Sequence, residues 1–413
     1  MINQEVTILG AGPGGAAAAL QLNKMKISCL LIDKAKFPRD KTCGDAISGK
    51  AVVILNRIDP NILLNLNKEK FNKNIWGLRI FAPNSKMVDI PFTLDYDPIN
   101  DPVPGYVVAR NDFDNHLIEE VRNAPHVELM EETDIEHIEK VRDGFLLRSK
   151  DGVIEIKTKM LLVANGAHSK FSREYAGITK EPKHYAGAVR AYYENVTGFQ
   201  EDGMIELHFL KEYIPGYFWI FPMSNNRANV GLGLRSDHVS SRKMNLNKSL
   251  KDIIENYPDI KDRFKDAKLV SKIKGHPLPL GSKIYPISGD HFMLIGDAAH
   301  LIDPITGEGV GNAIFSGWIA AEQIEECIKQ NDFSSSFLKS YDKRIRRVMG
   351  PELKLSYQMQ RMLTYPWLIN FFANQLHKNP GIKKILIGMY LDLELRKKII
   401  NPLFWLKVIL KKQ

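Results

Sequence analysis

Hydrophobic and polar residues near the start of the chain follow the order of a strand, a tight turn and a helix. Residues 6–9 are apolar or β-branched, and residues 16–20 are four alanines and a leucine, which favour a helix. A run of glycines separates the two segments. Further apolar runs of strand length lie at residues 27–32, 106–109, 160–164 and 291–295. Strands that alternate with helical segments predict an α/β fold.

The middle of the chain has a different pattern, in which strand-like runs follow one another with little helix between them. Strands are predicted at residues 186–193, 204–210, 218–221 and 230–234, and a helix at 250–257. This pattern predicts an inserted mixed or antiparallel sheet. The predicted division is a discontinuous dinucleotide-binding domain (1–75, 100–175 and 280–335), a substrate-binding domain (76–99 and 180–280) and a C-terminal helical region (336–413).

The glycine-rich turn predicts a dinucleotide site. Gly10, Gly12 and Gly15 have the spacing G-x-G-x-x-G. In this motif the first glycine permits the turn, the second lets a pyrophosphate approach the backbone, and the third lets the helix pack on the strand. Asp33 ends the second predicted strand, where an acidic residue binds the adenosine ribose. The predicted cofactor contacts in this region are Gly10, Gly12, Pro13, Gly14, Gly15 and Asp33.

Composition excludes several classes of protein. With 413 residues and 44% hydrophobic positions, the chain can form large cores, which excludes collagen-like, disulfide-stapled and wholly disordered proteins. Cys29, Cys43 and Cys327 are widely spaced, so they predict neither a disulfide framework nor a metal site and indicate the cytoplasm. The uncharged stretch 6–23 contains too many glycines for a membrane span, and no basic segment of a secretory signal precedes it.

A second predicted cofactor segment lies far along the chain. Residues 296–300 read G-D-A-A-H, and residues 304–309 read P-I-T-G-E-G before a long helical stretch. This pair of segments resembles the flavin-contacting region of the FAD enzymes related to para-hydroxybenzoate hydroxylase, which include aromatic hydroxylases, flavin halogenases and geranylgeranyl reductases. The resemblance implies FAD as cofactor, held by a Rossmann-like domain without a separate NAD(P)H domain. The implied contacts are Gly296, Asp297, Gly307, Gly309 and Val310.

Two further segments match this superfamily. A strand-end arginine before an F-D pair contacts the cofactor in these enzymes, so the resemblance makes Arg110 a candidate; the alternative is a surface arginine paired with Asp112 or Asp114. Residues 165–166 resemble the superfamily's D-G segment, with Asn165 in place of the usual aspartate. This departure removes any role that depends on a charge at that position.

Residues 41–48, K-T-C-G-D-A-I-S, resemble the K-x-C-G signature of geranylgeranyl reductases. Cys43, Gly44 and Ala46 are therefore predicted to contact the cofactor, and Cys43 and Asp45 to take part in catalysis. An exposed cysteine near positive charge has a lowered pKa and can act as a redox or proton-relay group. The alternative for Cys43 is a small residue that serves packing only.

Residues 217–222, Y-F-W-I-F-P, followed by G-L-G at 231–233, resemble the prenyl-binding Y-x-W-x-F-P…G-x-G pattern of archaeal reductases, with the proline one residue closer to Tyr217. Strand alternation places the three aromatic side chains on one face, where they line an apolar cavity or serve as ordinary core. Halogenases carry W-x-W-x-I-P here, from which this chain departs. The predicted substrate contacts are Tyr217, Trp219, Phe221, Gly231 and Gly233, and Tyr217 is also a candidate proton donor.

The C-terminal segment 379–413 holds most of the chain's net charge of +9. It contains eight basic and two acidic residues interleaved with apolar residues and Trp405. Such a segment is typical of a helix in an anionic membrane interface, and equally of an amphipathic tail packed on the protein body. It is too apolar for a nucleic-acid-binding face, so no nucleic-acid partner is predicted.

These observations predict an FAD-dependent oxidoreductase that saturates isoprenoid double bonds of a prenylated lipid or quinone. The alternative function is an FAD-dependent monooxygenase, and a flavin halogenase ranks below it. The resemblance implies FAD; the external reductant, NADPH or ferredoxin, is left open. The predicted partners are an isoprenoid substrate, the electron donor and a membrane surface, and the predicted location is cytoplasmic or peripheral on the inner face of the membrane.

Overall fold

A computed structural model describes residues 1–92, 101–200 and 203–378. The strands are β1 (Ile2–Leu9), β2 (Cys29–Ile32), β3 (Ala46–Ile47), β4 (Lys73–Asn74), β5 (Gly77–Phe81), β6 (Met87–Pro91), β7 (Tyr106–Val107), β8 (Val127–Met130), β9 (Ile135–Val141), β10 (Gly144–Ser149), β11 (Glu155–Val163), β12 (Tyr185–Glu194), β13 (Met204–His208), β14 (Tyr217–Pro222), β15 (Arg227–Arg235), β16 (Lys268–Leu269), β17 (Lys274–Pro279), β18 (Ser288–Gly289) and β19 (Phe292–Leu294).

The α-helices are α1 (Pro13–Lys24), α2 (Gly49–Ile58), α3 (Pro60–Lys68), α4 (Arg110–Arg122), α5 (Lys170–Glu174), α6 (Ser236–Ser241), α7 (Leu246–Asn256), α8 (Pro258–Lys261), α9 (Val310–Gln330), α10 (Ser335–Val348), α11 (Gly350–Met362) and α12 (Pro366–Lys378). Short 3₁₀ helices cover Pro182–His184, Lys211–Tyr213, Asp262–Phe264 and Gly296–Ala299.

The first sheet has the strand order β18-β19-β11-β1-β2-β8, with β10 paired with β11 and β9 paired with β10. The strands from β19 to β8 run parallel. Leu9 pairs with both Ile32 and Val163, and Val163 pairs with Leu294, so four strands end side by side. Ligands of parallel α/β sheets bind at this carboxyl edge. The glycine turn after β1, Asp33 after β2 and the G-D segment after β19 therefore meet at one edge.

The second sheet has the order β16-β12-β15-β14-β13-β5-β6, with β17 beside β12. Its pairs are antiparallel except for β13 and β5, so the sheet is mixed. One face packs against α7 and α8 around Phe218 and Val230. The other face carries Trp219 and Phe221 and turns toward the first sheet. The α/β fold with a second, mixed sheet is as the sequence predicts, while the exact division into domains stays a prediction.

A small third sheet, β3-β7-β4, joins the two large ones. Ala46 pairs with Val107, and the residue after β7 donates from its backbone N–H to the carbonyl of Asp45 at 2.9 Å. The segment between β2 and β3, which contains Cys43, is therefore held against the start of α4. This placement brings it between the cofactor edge of the first sheet and the aromatic face of the second.

Helices α1 and α9 pack closely behind the cofactor edge. Gly14 lies at the contact, where an added Cβ would be 2.7 Å from Ile295 Cγ2 and 3.0 Å from the carbonyl oxygen of Ala313. Gly317 faces it from α9, and a Cβ there would collide with the carbonyl oxygen of Gly14. Glycine at both positions lets the two helix backbones approach within contact distance.

Helices α10, α11 and α12 follow the last strand of the first sheet and α9 in the chain. They form the C-terminal helical region that the sequence predicts. Helix α11 lies beside the segment 303–309, and α12 packs Ile369 and Ala373 against Val88 and Ile214 of the second sheet region. In the portion of the chain that the structure describes, no helix combines the length and apolar character needed to cross a membrane. The basic tail at 379–413 lies outside the described residues.

Several strand ends differ from the predicted ones for local reasons. The strand expected at 27–32 begins only at Cys29, because the N–H of Ile27 donates to the carbonyl of Leu22 and closes the end of α1. The strand expected at 106–109 ends at Val107, because Ala109 caps α4 and accepts from the N–H of Phe113 at 2.9 Å. The left-handed φ of +66° at His291 delays β19 to Phe292.

We expect Gly317→Val to lower the free energy of unfolding by about 2 kcal/mol or more, because the new side chain forces α9 away from α1. Urea denaturation of the protein measures this change. Gly350→Ala is the matched control, since a Cβ at Gly350 meets nothing within 4 Å, and it should change stability by less than about 0.5 kcal/mol. Equal stability of the two variants would contradict the proposed helix contact.

Candidate functional site

The glycine turn after β1 leaves the N-terminus of α1 open to a ligand. Gly12 is the N-cap, no side chain caps the helix, and Pro13 occupies its first turn. A Cβ on Gly12 would meet no atom nearer than Nη2 of Arg39 at 3.9 Å, whereas a Cβ on Gly15 would collide with the carbonyl oxygen of Gly10. Gly12 therefore faces open space, whereas Gly15 packs against protein. Free N–H groups at such a helix end bind phosphate.

Asp33 lies at the same edge. Its carboxylate accepts from the N–H of Ala11 at 2.8 Å and from the N–H of Ala35 at 2.9 Å. These bonds fix the side chain beside the glycine turn while it stays half-buried. A carboxylate oxygen accepts more than one hydrogen bond, so Asp33 keeps the capacity to bind ribose hydroxyls.

The second predicted segment follows β19 and approaches the first. Asp297 is half-buried in the 3₁₀ turn, and a Cβ on Gly309 would be 3.4 Å from Oδ1 of Asp297. Burial raises the pKa of Asp297, and the charges of Lys41 and Arg110 oppose this shift. Gly307 has a φ of +70°, a conformation that favours glycine. The turn and the start of α9 at Val310 thus form one continuous surface with Asp297.

The loop 303–309 is held from two sides. Asp303 is buried, and its Oδ1 accepts from the N–H groups of Ile305 and Thr306, each at 2.9 Å. Ser356 on α11 donates to Oδ2 of Asp303 at 2.5 Å. The hydroxyl of Tyr217 on β14 donates to the carbonyl oxygen of Thr306. A predicted substrate residue is therefore bonded directly to a predicted cofactor segment.

The segment between β2 and β3, residues 33–45, is called the Cys43 loop. It packs on the aromatic strand β14. A Cβ on Gly44 would be 3.3 Å from Cε2 of Phe221 and 3.8 Å from Cε2 of Trp219. The Trp219 ring centroid lies 6.0 Å from that of Tyr217 and 6.1 Å from that of Phe221. The three aromatic side chains share one face, as strand alternation predicts, and the loop lies against them.

The glycines of β15 make room for the Trp219 indole. Trp219 pairs with Gly231 and Tyr217 with Gly233 across the two strands. A Cβ on Gly231 would collide with the indole ring, and one on Gly233 would lie 3.7 Å from it. These glycines shape the aromatic face by accepting the ring, so a direct contact between them and a substrate stays a prediction.

Cys43 is half-buried, and the pKa of its thiol is shifted in the direction opposite to the expected one. Burial raises the pKa of the thiol, and the nearby Asp45 carboxylate raises it further, while Arg110 opposes both. The expectation of a lowered pKa is therefore wrong, because desolvation outweighs the arginine charge. Cys43 is a neutral thiol at neutral pH, which suits a proton donor and not a thiolate nucleophile.

The hydroxyl of Tyr217 is also held in its protonated form. Burial raises the pKa of Tyr217, and the negative charge of Asp303 acts in the same direction. Two of the predicted catalytic residues, Cys43 and Tyr217, are thus both protonated at neutral pH.

Asp45, the third predicted catalytic residue, is the last residue of the Cys43 loop and has no exposed surface. Its Oδ2 accepts from the hydroxyl of Tyr192 at 2.6 Å, and its Oδ1 accepts from the N–H of Arg110 at 3.3 Å. Burial raises its pKa to about 6, although these donors and the positive charges of Arg190 and Arg110 favour the carboxylate. The backbone φ of +66° is one that aspartate tolerates better than most residues. This geometry holds the loop.

Arg110 is buried and not on the surface, but it pairs with Asp114, as the alternative interpretation expected. Its Nε and Nη2 donate to the two oxygens of Asp114 at 2.7 and 2.8 Å. Arg39 reaches the same carboxylate at 2.7 Å. Loss of one partner from such a buried pair costs about 3–5 kcal/mol. Arg110 also lies near Cys43 and Asp297, which keeps it a candidate for the cofactor contact.

Sequence reasoning missed Lys41 and its partner His276. The Lys41 ammonium lies 2.7 Å from Nε2 of His276, on the edge strand β17. Burial and the Lys41 charge lower the pKa of His276 to about 3, so its neutral ring accepts the hydrogen bond. Burial lowers the pKa of Lys41, and the Asp297 carboxylate opposes this shift. Only Lys41 carries a sequence signal, its place in the K-x-C-G segment.

Most of the chain matches the sequence profile of a known cofactor-binding domain. The sequence profile described as "FAD binding domain" matches residues 3–351. This range includes the glycine turn, the Cys43 loop, the aromatic strand and the segment that contains Asp297.

Relatives of known name show which enzyme family the chain belongs to. The digeranylgeranylglycerophospholipid reductase of Thermoplasma volcanium is 31% identical over 362 residues, which cover 84% of each chain. The chain belongs to the geranylgeranyl reductase family. A second digeranylgeranylglycerophospholipid reductase, from Methanopyrus kandleri, is 30% identical to this chain. The matched residues cover 87% of this chain and 86% of the Methanopyrus kandleri protein. Menaquinone reductase of Mycobacterium tuberculosis is 30% identical over 78% of this chain and 76% of its own.

Solved structures agree with this fold. A geranylgeranyl bacteriochlorophyll reductase-like protein from Thermoplasma acidophilum superposes with a TM-score of 0.78 and 25% identity, over 92% of each chain. A flavin-dependent brominase has a TM-score of 0.74 at 23% identity, over 94% of this chain and 93% of its own. At that identity the brominase shares the fold only.

The residues at the carboxyl edge fit FAD. The uncapped end of α1, the open space at Gly12 and the Asp33 carboxylate suit a pyrophosphate and an adenosine ribose. Asp297 and the turn at Gly307–Gly309 lie at the other end of the same edge. This family member is therefore an FAD-dependent oxidoreductase. The role of each named residue in holding the cofactor stays a prediction.

We expect Gly12→Ala to raise the dissociation constant of FAD at least about tenfold, because the methyl group occupies the space that the pyrophosphate needs. Gly12 has a φ of −67°, so alanine fits the backbone and the apoprotein should unfold at the same urea concentration as the parent. Titration with FAD, followed by flavin fluorescence, measures the affinity, with Gly350→Ala as control. Unchanged FAD affinity in Gly12→Ala would show that the cofactor does not approach this backbone.

Proposed function

We propose that the enzyme saturates isoprenoid double bonds of a membrane lipid or of a prenylated quinone. The observation that carries the proposal is the placement of the aromatic strand β14 against both predicted flavin-contacting segments. Phe221 lies beside Gly44, and Tyr217 is bonded to Thr306. An apolar chain laid along this face would have a double bond next to the cofactor. Relatives with long-chain isoprenoid substrates in their names support the substrate class.

The aromatic face has the properties that an isoprenoid chain requires. Trp219 and Phe221 are buried, and Tyr217 is half-buried at the end nearest the loop 303–309. Neighbouring apolar residues, including Ile205 and Leu207 on β13, extend the same cluster. Such a surface binds a hydrocarbon by excluding water and does not select a particular head group. We propose Tyr217, Trp219, Phe221, Gly231 and Gly233 as the substrate-binding set.

The chemistry needs a hydride and a proton on the two carbons of the double bond. FAD, when bound and reduced, supplies the hydride. An isolated alkene accepts hydride poorly, so a positioned acid must deliver the proton. The Cys43 thiol and the Tyr217 hydroxyl are both protonated at neutral pH and lie on the aromatic side of the site. Cys43 is our preferred donor, since the Tyr217 proton is already bonded to Thr306.

The central test follows the flavin in the absence of oxygen. The holoenzyme is photoreduced anaerobically and mixed with geranylgeranyl diphosphate or a geranylgeranylated glycerophospholipid. We expect reoxidation of the flavin, with two hydrogens gained by the lipid for each flavin reoxidised. Absorbance records the flavin and mass spectrometry the product. Replacing light with NADPH or reduced ferredoxin then identifies the external reductant.

Cys43→Ser is the matched variant for the proton donor. It nearly keeps the size of the side chain, but replaces the thiol with a hydroxyl, which is a much weaker acid, so reoxidation by the lipid should slow at least about tenfold while FAD stays bound. An unchanged rate would dismiss Cys43 as the donor and leave Tyr217. A flavin that stays reduced in the presence of bound lipid until air enters would instead favour the monooxygenase.

We also propose that the enzyme meets its lipid at an anionic membrane surface on the cytoplasmic side. The tail 379–413 carries eight basic and two acidic residues, and α12 ends at the start of this tail. Tyr365 directly precedes this helix and Trp367 lies in its first turn, and they are 58% and 65% exposed. Aromatic side chains of this kind favour the interface between water and lipid.

Charge reversal tests the membrane contact. Lys397→Glu combined with Lys398→Glu should weaken binding to vesicles that contain anionic phospholipid at least about tenfold, because each lysine near such a surface contributes about 1 kcal/mol. Cosedimentation measures the bound fraction, and Lys170→Glu with Lys183→Glu is a control with the same change in net charge. If both double variants bind as the parent does, the tail does not contact the membrane.

A further inference from the structure

A buried polar cluster joins the Cys43 loop to the second sheet. Its centre is Asn229 on β15, whose exposed fraction is 0%. The Nδ2 group of Asn229 donates to Oδ2 of Asp45 and to the carbonyl oxygen of Cys43, both at 2.8 Å. Oδ1 of Asn229 accepts from Nε1 of Trp219 at 2.8 Å. One amide thus contacts the loop and the aromatic face together.

The amide of Asn229 is placed for these bonds and not for packing. Its neighbours Ala228 and Val230 are fully buried and apolar. Burial of an amide without partners costs several kcal/mol, so a polar residue in such a strand is retained only where its hydrogen bonds are made. Asn229 uses both hydrogens and its oxygen, which leaves no donor unpaired.

Tyr192 on the neighbouring strand β12 completes the cluster. Its hydroxyl donates to the same Oδ2 of Asp45 at 2.6 Å. The guanidinium of Arg190 lies over the Tyr192 ring, with Cζ 4.2 Å from the ring centroid. The Asp45 carboxylate therefore receives donors from two strands of the second sheet, while its Oδ1 faces the N–H of Arg110 on α4. Asp45 is therefore one of the residues through which the two halves of the molecule are hydrogen-bonded.

We propose that Asn229 and Tyr192 are positioning residues of the reductase, which hold Asp45 and the Cys43 carbonyl and so set the place of the Cys43 thiol relative to the flavin. This inference rests on the proposed function for the role of the thiol. Because Trp219 bonds the same amide, a substrate that shifts the indole also shifts the loop. Neither residue touches the reacting atoms in this scheme, and both act through Cys43.

The charge of Asp45 gives the cluster a measurable pH dependence. The groups that face it are the Tyr192 hydroxyl, the Asn229 amide, Arg190, Arg110 and the Cys43 thiol. Burial raises the pKa of Asp45 to about 6, so the carboxylate accepts all its donors above that pH. Below it, one oxygen carries a proton, a donor loses its partner and the loop is held less firmly. Loss of the Tyr192 hydroxyl removes a donor to the charged form, which moves the pKa upward.

The experiment uses the FAD-loaded enzyme and the variant Tyr192→Phe. The absorbance spectrum of bound oxidised flavin is recorded across a pH range of about 5 to 9. We expect a transition near pH 6 in the parent, a midpoint about one pH unit higher in Tyr192→Phe, and no such transition in Asp45→Asn. Tyr193→Phe is the matched control, since that ring faces Phe264 on the other side of the strand.

A second variant tests the link to the thiol. Asn229→Ala should slow reoxidation of the reduced flavin by saturating lipid at least about tenfold, with FAD affinity changed less than about twofold, and Asn229→Ser should restore part of the rate. A parent spectrum without a transition near pH 6, or a Tyr192→Phe midpoint equal to the parent's, overturns the proposal. The spectral titration needs no substrate, so it also decides the proposal if the lipid is not reduced. Tyr192→Phe preserves the core volume should Asn229→Ala fail to fold.

Discussion

The close approach of α1 and α9 at Gly14 and Gly317 is the contact on which the cofactor site depends. It places the glycine turn after β1 next to the segment that follows β19, although the two are far apart in the chain. The parallel register of β1, β11 and β19 then ends these strands at one edge. The site for an extended dinucleotide therefore follows from backbone packing, before any side chain binds the ligand.

The Cys43 loop connects this cofactor edge with the second sheet. On one side it joins the small sheet through Ala46, and on the other it lies against Phe221. Its buried anchor, Asp45, bonds to residues of three separate elements. A loop held by so many long-range contacts has a defined position, which a group that transfers a proton requires.

Burial decides the acid–base character of this site. Cys43 and Tyr217 keep their protons because desolvation raises their pKa values, even though Arg110 lies close to the thiol. Protonated groups beside an apolar face suit the proposed reduction of a double bond, since water in the site would compete for the proton. A flavin-dependent brominase shares the fold at 23% identity, so the scaffold alone does not determine the reaction.

The sequence alone determined the features that depend on neighbouring residues. The order of the first strand, the glycine turn and α1, the second cofactor segment and the alternation of Tyr217, Trp219 and Phe221 all follow from local spacing. The resemblance of the K-T-C-G segment also indicated the family. These signals are local because strand and helix periodicity and turn chemistry involve residues close in the chain.

Only the tertiary structure decided which distant residues meet and how they ionise. Tyr192 lies inside a predicted strand without a motif, Asn229 lies one residue before another predicted strand, and Ser356 comes from a helix after the cofactor domain. These residues nevertheless hold the site loops. The neutral state of Cys43 also reverses the expectation from its charged neighbours. Hydrogen bonding and desolvation depend on three-dimensional packing, because the groups that surround a side chain come from segments that local sequence patterns do not relate to one another.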